Sequence, residues 1–238
     1  MWGRLARRLE PSGTVCRCSA RSIARFGHVK YAVDDRVGVV TLDRPEAANA
    51  QSQQVLMDLD EVWSAAERDR QVKVIVQRST GKHFSAGHDM SGTQPTTVDR
   101  EIPIPDALYL WETRHYFHYA KRWRDVPKPS IAAVQGRCIA AGLMLCWPCD
   151  LIVAAEDAEF SDPALHMGIC GVEFHAHTWE FGARKAKEIL FTGSSSRRPD
   201  GMAWCTRSCR PTTCCRRRFD WPTVSRAGTA GPCAWPSG

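Results

Sequence analysis

Two short stretches hold residues whose types and spacing suit the stabilisation of an oxygen anion by main-chain amides. Phe84 to Asp89 (FSAGHD) places small residues and a glycine directly after a β-branched run and its loop. A turn of that composition aims backbone N–H groups at a ligand oxygen. Gly136 to Asp150 (GRCIAAGLMLCWPCD) again sets small residues at the start of a helix, where unpaired amides and the helix dipole favour a developing negative charge. Together the two turns predict an oxyanion hole; separately, each is only a tight turn. Proton transfer needs a titratable partner, and Gly171 to Glu180 (GVEFHAHTWE) offers Glu173, with His175 or His177 available to pair with it. A carboxylate in an apolar pocket has a raised pKa and can act as a base near neutral pH. The same residues also fit a structural ion pair or an exposed loop.

Further titratable groups fall on a helix expected over residues 107–124, where Trp111, His115, His118 and Arg122 share one stripe and Glu112 sits beside it. A histidine there could reach a substrate, although such stripes more often pack at a subunit contact or stay solvated. Lys82 is a candidate partner for a phosphate, and His83 is a weaker candidate for any role.

The elements that must hold these residues alternate between strand and helix. Val37 to Leu42 (VGVVTL) and Val72 to Gln77 (VKVIVQ) are short β-branched runs, and between them Val55, Leu56, Leu59, Val62, Trp63 and Ala66 recur at helical spacing. Ser130 to Val134 leads into Gly136, Leu143 to Trp147 reads as a short helix stopped by Pro148, and Leu151 to Ala154 as another buried strand. The pattern predicts a layered α/β core. Residues 91–106 have no apolar period and three prolines, which predicts a mobile surface loop.

The chain has 238 residues and a formal charge of +6, but that charge belongs to its ends. Residues 1–27 carry six Arg against one Glu, and residues 194–238 eight Arg against two Asp. Residues 28–193 are left with 18 basic and 23 acidic side chains, a net of −5, so no basic face inside the domain points to nucleic acid. No uncharged apolar run approaches the length of about 18 residues that a spanning helix needs, so no membrane span is expected. Of the 11 cysteines, Cys138, Cys146, Cys149 and Cys170 alone lie in the central segment. Their apolar surroundings predict reduced, buried thiols of an intracellular protein rather than a disulfide framework.

Residues 1–27 are rich in Arg and Ser and lack a secretory apolar stretch, so they read either as a mitochondrial-type presequence or as translation from an upstream start codon. On both readings they stand outside the fold. Residues 194–238 contain no Leu, Ile, Lys or Glu but five Cys, five Pro and three Trp, a composition unsuited to a packed helix or strand. Cys205, Cys209, Cys214 and Cys215 have poor spacing for zinc and no histidine nearby. Such a composition is what GC-rich codons give out of frame. Joining the third base of each codon to the first two of the next, from Met202 to Trp221, permits GMVHxVVPADDLLPAALRLA, which has the helical apolar spacing the tail lacks.

The two turns, with Leu42 to Ala50 (LDRPEAANA), Lys128 to Val134 (KPSIAAV) and Ala158 to Asp162 (AEFSD), resemble the crotonase superfamily of enoyl-CoA hydratases and isomerases. The resemblance covers residues 28–193, and the alternative frame of the tail resembles the family's GLVxxVV segment. It implies an α/β fold, a crotonase-like ββα spiral, here with the C-terminal helical region missing or disordered. It also implies an acyl-CoA substrate, with coenzyme A entering as part of that substrate, no tightly bound cofactor and no metal. A homotrimer or hexamer is implied if the fold is complete, and loss of the C-terminal helices would weaken assembly. The implied compartment is cytoplasmic, or the mitochondrial matrix if the N-terminal segment is a presequence.

By motif position, the resemblance assigns the two oxyanion amides to His88 and Ala141, where the family usually has Gly in place of Ala141. It assigns acyl-CoA contacts to Ala47, Ala86, Gly87, Asp89, Met90 and Gly142. The family's two catalytic glutamates fall on Met144 and Ala164, which cannot carry a proton, and general acid–base help is worth about 10² to 10⁴ in rate. Glu173 lies near where other superfamily members carry a catalytic Asp, so Glu173 and His175 are the expected substitutes. The rival readings are a non-catalytic or decayed acyl-CoA-binding paralogue, and a nucleic-acid or anionic-surface binder acting through the Arg-rich ends.

Overall fold

A computed structural model describes residues 22–91, 109–168, 174–197 and 205–209. The first three strands form an antiparallel meander: β1 (Ser22–Phe26), β2 (Val29–Asp34) and β3 (Val37–Leu42). The β2–β3 connection is a two-residue loop in which Asp35 and Arg36 both have positive φ, 44° and 70°. That backbone matches the twist of the flanking strands. β1 falls within the segment that composition sets outside the fold, so that boundary is corrected to Ser22. Its alternating partners on β2 supply the reason, a pairing that composition does not register.

From β3 the chain crosses through α1 (Gln53–Arg68) into β4 (Val74–Ser79), which pairs parallel to β3 from Val37↔Val74 to Leu42↔Ser79. Ser52 caps α1 by accepting the Val55 N–H at 3.4 Å, and the expected stripe from Val55 to Ala66 is its buried face. β5 (Ser130–Val134) and β7 (Leu151–Ala155) extend the sheet in parallel. β10 (Cys205–Cys209) closes the edge beside β7 and completes the strand order β1-β2-β3-β4-β5-β7-β10. The tail therefore does form a strand over Cys205–Cys209, against the expectation from its composition. Backbone hydrogen bonds to an existing edge ask little of side-chain chemistry. A second sheet holds β6 (Arg137–Ile139), β8 (Glu159–Ser161) and β9 (Ser196–Arg197) in the order β6-β8-β9.

The remaining helices are α2 (His118–Arg124), α3 (Leu143–Cys146), α4 (His177–Phe181) and α5 (Ala183–Thr192). The segment before α2 is helical from Tyr109, but Thr113–Phe117 is a π-turn, which adds a residue and rotates the stripe beyond it. The core is knitted by one buried polar bridge. Gln77 on β4 accepts from Trp63 Nε1 at 2.8 Å and donates to the Leu145 carbonyl at 3.0 Å, so α1, the sheet and α3 share one side chain. Cys138, Cys146 and Cys149 are free and buried, and burial pushes the Cys146 and Cys149 thiols well up. Cys170 and residues 92–108, most of the expected loop, lie outside the described residues. Among the described residues no helix is long and apolar enough to cross a membrane.

Candidate active site

The Phe84–Asp89 stretch is a backbone seam gripped from both sides. On one side it meets β6: the Phe84 and Ser85 amides donate to the Arg137 carbonyl at 3.0 and 3.2 Å, and the Ile139 amide donates to the Ser85 carbonyl at 3.0 Å. On the other it meets the Leu42–Ala50 loop and Gln51. The Ala86 amide donates to the Ala48 carbonyl at 2.9 Å, and Gln51 and His88 form a parallel bridge through the Gly87 carbonyl and the Asp89 amide, at 2.8 and 3.1 Å. Because neighbouring residues of an extended chain point their amides to opposite sides, that bridge leaves the His88 N–H turned away from Gln51.

The second turn abuts this seam. A Cβ placed on Gly87 would stand 2.6 Å from the Ile139 carbonyl oxygen and 3.2 Å from the Ala141 nitrogen. A Cβ on Gly142 would stand 2.8 Å from the Ser85 carbonyl oxygen. The two stretches are thus in backbone contact, and Gly87 itself sits at φ +88°. Ala141 lies in the 3-10 turn Ala140–Gly142 that runs into α3, where no earlier turn supplies a carbonyl to its N–H. Among the described residues, three of the five non-glycine residues with positive φ, Ala48, Asn49 and Ala140, border this contact. Strained backbone of this kind persists where surroundings over-determine it. Asn49 does so here: its Nδ2 donates to the Thr80 and His83 carbonyls at 2.8 and 2.9 Å, and its Oδ1 accepts the Arg44 amide at 2.9 Å.

The side chains around the seam are aromatic and ionic. The His88 ring stacks on Tyr116, centroids 5.1 Å apart, and tilts against Trp111 at 6.2 Å, which in turn stacks on His115 at 4.8 Å. Burial lowers the His88 pKa below its ordinary value, keeping the imidazole neutral at pH 7. Asp89 is pulled down to about 2, first by the hydrogen bond from the Ser91 hydroxyl and then by Arg44, its ion-pair partner.

Of the other expected site residues, Ala47 is half-buried in the 3-10 turn Pro45–Ala47, Ala86 and Met90 are exposed, and Gly142 is buried. Glu173 lies outside the described residues. His175 is exposed, and its neighbour His177 is 2 % exposed, with ring centroids 6.3 Å apart. The expected stripe divides: Trp111 approaches His88 with His115 stacked on Trp111, whereas Arg122 turns to α1, donating to Ser64 Oγ at 2.6 Å and pairing with Asp60, and His118 is exposed. His83 Nδ1 accepts the Arg137 amide at 3.1 Å, a structural contact between loops, while Lys82 is exposed. Sequence reasoning missed Arg44 as the partner of Asp89, Asn49 as the junction of three loops, and Tyr116 as the platform under His88. An asparagine beside a glycine-poor turn at Ala48–Asn49 was the one available signal.

The enoyl-CoA hydratase/isomerase family profile matches residues 33–204. Among curated proteins, one named as an enoyl-CoA hydratase of Mycobacterium tuberculosis is 40% identical over 193 residues, covering 73% of this chain and 60% of that protein. Another, of Rhizobium meliloti, is 35% identical over 161 residues, covering 66% of this chain and 58% of its own length. The chain spans about 60% of the length of these curated relatives. Among solved structures, proteins described as enoyl-CoA hydratases from Mycobacterium thermoresistibile and Mycobacterium smegmatis are 52% and 50% identical, each with a TM-score of 0.72. They cover 78% and 79% of this chain, which covers 75% and 73% of theirs. With a profile match over most of its length, two abutting amide turns and this sheet order, the chain is a member of the enoyl-CoA hydratase/isomerase family.

Proposed function

We propose that the chain binds an acyl-CoA thioester and holds its carbonyl oxygen between the main-chain amides of His88 and Ala141, stabilising the enolate that forms when charge moves onto that oxygen. The observation that carries this reading is the backbone contact of Gly87 with Ile139 and Ala141, too close for any side chain. It supports a convergence of the His88 and Ala141 amides on one substrate oxygen, and one such donor is worth about 2.7 to 4 kcal/mol in a transition state. Gly142, Ala86, Ala47, Asp89 and Met90 would border the thioester, with coenzyme A brought in by the substrate and no separate cofactor.

The chain would act as a trimer or hexamer, in the cytoplasm or in a mitochondrial matrix if the residues before Ser22 direct it there, with residues 22–193 as the principal acyl-CoA domain. Titration with crotonyl-CoA and with free coenzyme A, followed by a hydration assay, tests the reading. Binding that requires the thioester, and that is lost in Gly87→Ala, is the expected result. Absence of binding by the wild-type chain overturns it, and binding without turnover identifies a non-catalytic acyl-CoA binder.

A further inference from the structure

Ser85 is 0 % exposed, and its hydroxyl is fully engaged by the protein. Oγ donates its proton to the Asn49 carbonyl at 2.9 Å and accepts the Gly87 amide at 3.2 Å and Gln51 Nε2 at 3.3 Å. A hydroxyl has one proton and two lone pairs, so these three bonds fix its orientation completely. The bond to Gly87 spans two residues, the local turn that a serine side chain builds in place of a backbone turn. The rest of the residue meets the second turn: the Ser85 carbonyl accepts the Ile139 amide at 3.0 Å, and a Cβ on Gly142 would stand 3.3 Å from the Ser85 Cβ. From one buried position Ser85 therefore reaches the Asn49 loop and both amide-bearing turns.

The amides of Phe84–Asp89 show what this hydroxyl decides. Those of Phe84 and Ser85 go to the Arg137 carbonyl, that of Ala86 to Ala48 and that of Asp89 to Gln51. Gly87, which is buried, gives its amide to Ser85 Oγ instead. Five of the six amides are thereby committed, and the His88 amide has no acceptor among the described residues. Without Oγ, the Gly87 amide becomes a buried donor with no acceptor, and the turn must re-aim it at whatever oxygen is near. The next peptide is held as well, because the Gly87 carbonyl accepts the Gln51 amide at 2.8 Å while the Gln51 side chain is tied to Ser85.

We propose that Ser85 is the positioning residue of the two-amide site, a proposal that rests on the acyl-CoA reading above. By holding the Gly87 amide, its hydroxyl leaves the His88 amide as the donor that the first turn offers to the thioester oxygen. Through Ile139 and Gly142, its carbonyl and Cβ hold the Ala141 turn against the first. Ser85 acts through the two amides, since protein groups take its proton and both lone pairs.

The test is the carbonyl stretch of bound butyryl-CoA labelled with carbon-13 at the thioester carbonyl, read by isotope-edited difference infrared spectroscopy. Two amide donors are expected to pull this band below its position in free butyryl-CoA. Ser85→Ala is expected to lose about half of that shift or more, the share of one donor of two. Its affinity for butyryl-CoA is expected to stay within about tenfold of wild type, because the ground state depends less on the donor than the transition state does. Ser85→Cys keeps the volume but replaces the hydroxyl by a weak donor and acceptor, and is expected to lose the shift in the same way, which separates hydrogen bonding from packing. Should neither variant fold or saturate, amide hydrogen exchange in the wild-type protein decides. The supporting result is a Gly87 amide protected without ligand and a His88 amide protected only when butyryl-CoA is bound. A full wild-type shift in either variant, or a Gly87 amide unprotected without ligand, overturns the role of Ser85 while leaving the acyl-CoA reading intact. A wild-type band at the position of free butyryl-CoA, or no wild-type binding, overturns both.

Discussion

Gly87 concentrates the chemistry of the site in one residue. It combines φ +88° with a would-be Cβ only 2.6 Å from a backbone oxygen, so Gly87→Ala must both strain the turn and push the two amide-bearing stretches apart. The expected cost is about 1 to 3 kcal/mol in stability, read by thermal melting, with acyl-CoA affinity falling at least tenfold in titration. Two positions on, Asp89 supplies a pH signature. Its pKa falls from 3.8 to about 2 on folding, so the unfolded chain binds the proton more readily in that range. The stabilisation is complete above 3.8 and disappears as the pH falls through about 2. Asp89→Asn is expected to remove this part of the acid-unfolding profile, and an unchanged profile would show that Arg44 and Ser91 do not hold the carboxylate.

Among the elements, α1, β4 and α3 behave as one block because Gln77 satisfies both Trp63 Nε1 and the Leu145 carbonyl. Gln77→Leu fits the apolar surroundings but strands a donor and an acceptor, a loss of about 2 kcal/mol or more, seen as a lowered Tm. Because α3 continues the turn that carries Ala141, the same variant is expected to weaken acyl-CoA binding. The stripe of α1 was readable as a 3.6-residue period, and VGVVTL as a strand, because both signals are local. The polar bridge was not, since nothing in the neighbourhood of Gln77 announces a tryptophan on another element. The π-turn at Thr113–Phe117 was equally silent: Trp111 before it meets His88 and Arg122 beyond it meets Asp60, where an uninterrupted helix predicts one shared stripe.

At the scale of the molecule, the C-terminal elements leave large apolar side chains in solvent. Trp179 on α4 is 89 % exposed, Phe191 on α5 66 % and Met167 55 %. Apolar surface of this size favours self-association. The chain is expected to show a concentration-dependent mass in light scattering, and Trp179→Ser with Phe191→Ser to shift it toward monomer; identical masses would separate these residues from assembly. The family match ends at residue 204, close to where the composition changes. A gained or lost base is therefore expected in the gene across codons 190–205, and an intact reading frame there would refute the out-of-frame origin of the tail.

The sequence by itself determined the α/β alternation, the buried stripe of α1, the two small-residue turns and the family they belong to. Each depends on residues close together in the chain, whose backbone preferences act before anything folds. Tertiary structure alone decided that Ser85 bridges Cys138, that Gly87 touches Ala141, that Cys205–Cys209 joins the sheet edge, and that Asp162 holds His177 rather than His175. Those contacts follow from strand register and from which surfaces are buried together, quantities set by the packing of distant segments and carried by no local pattern.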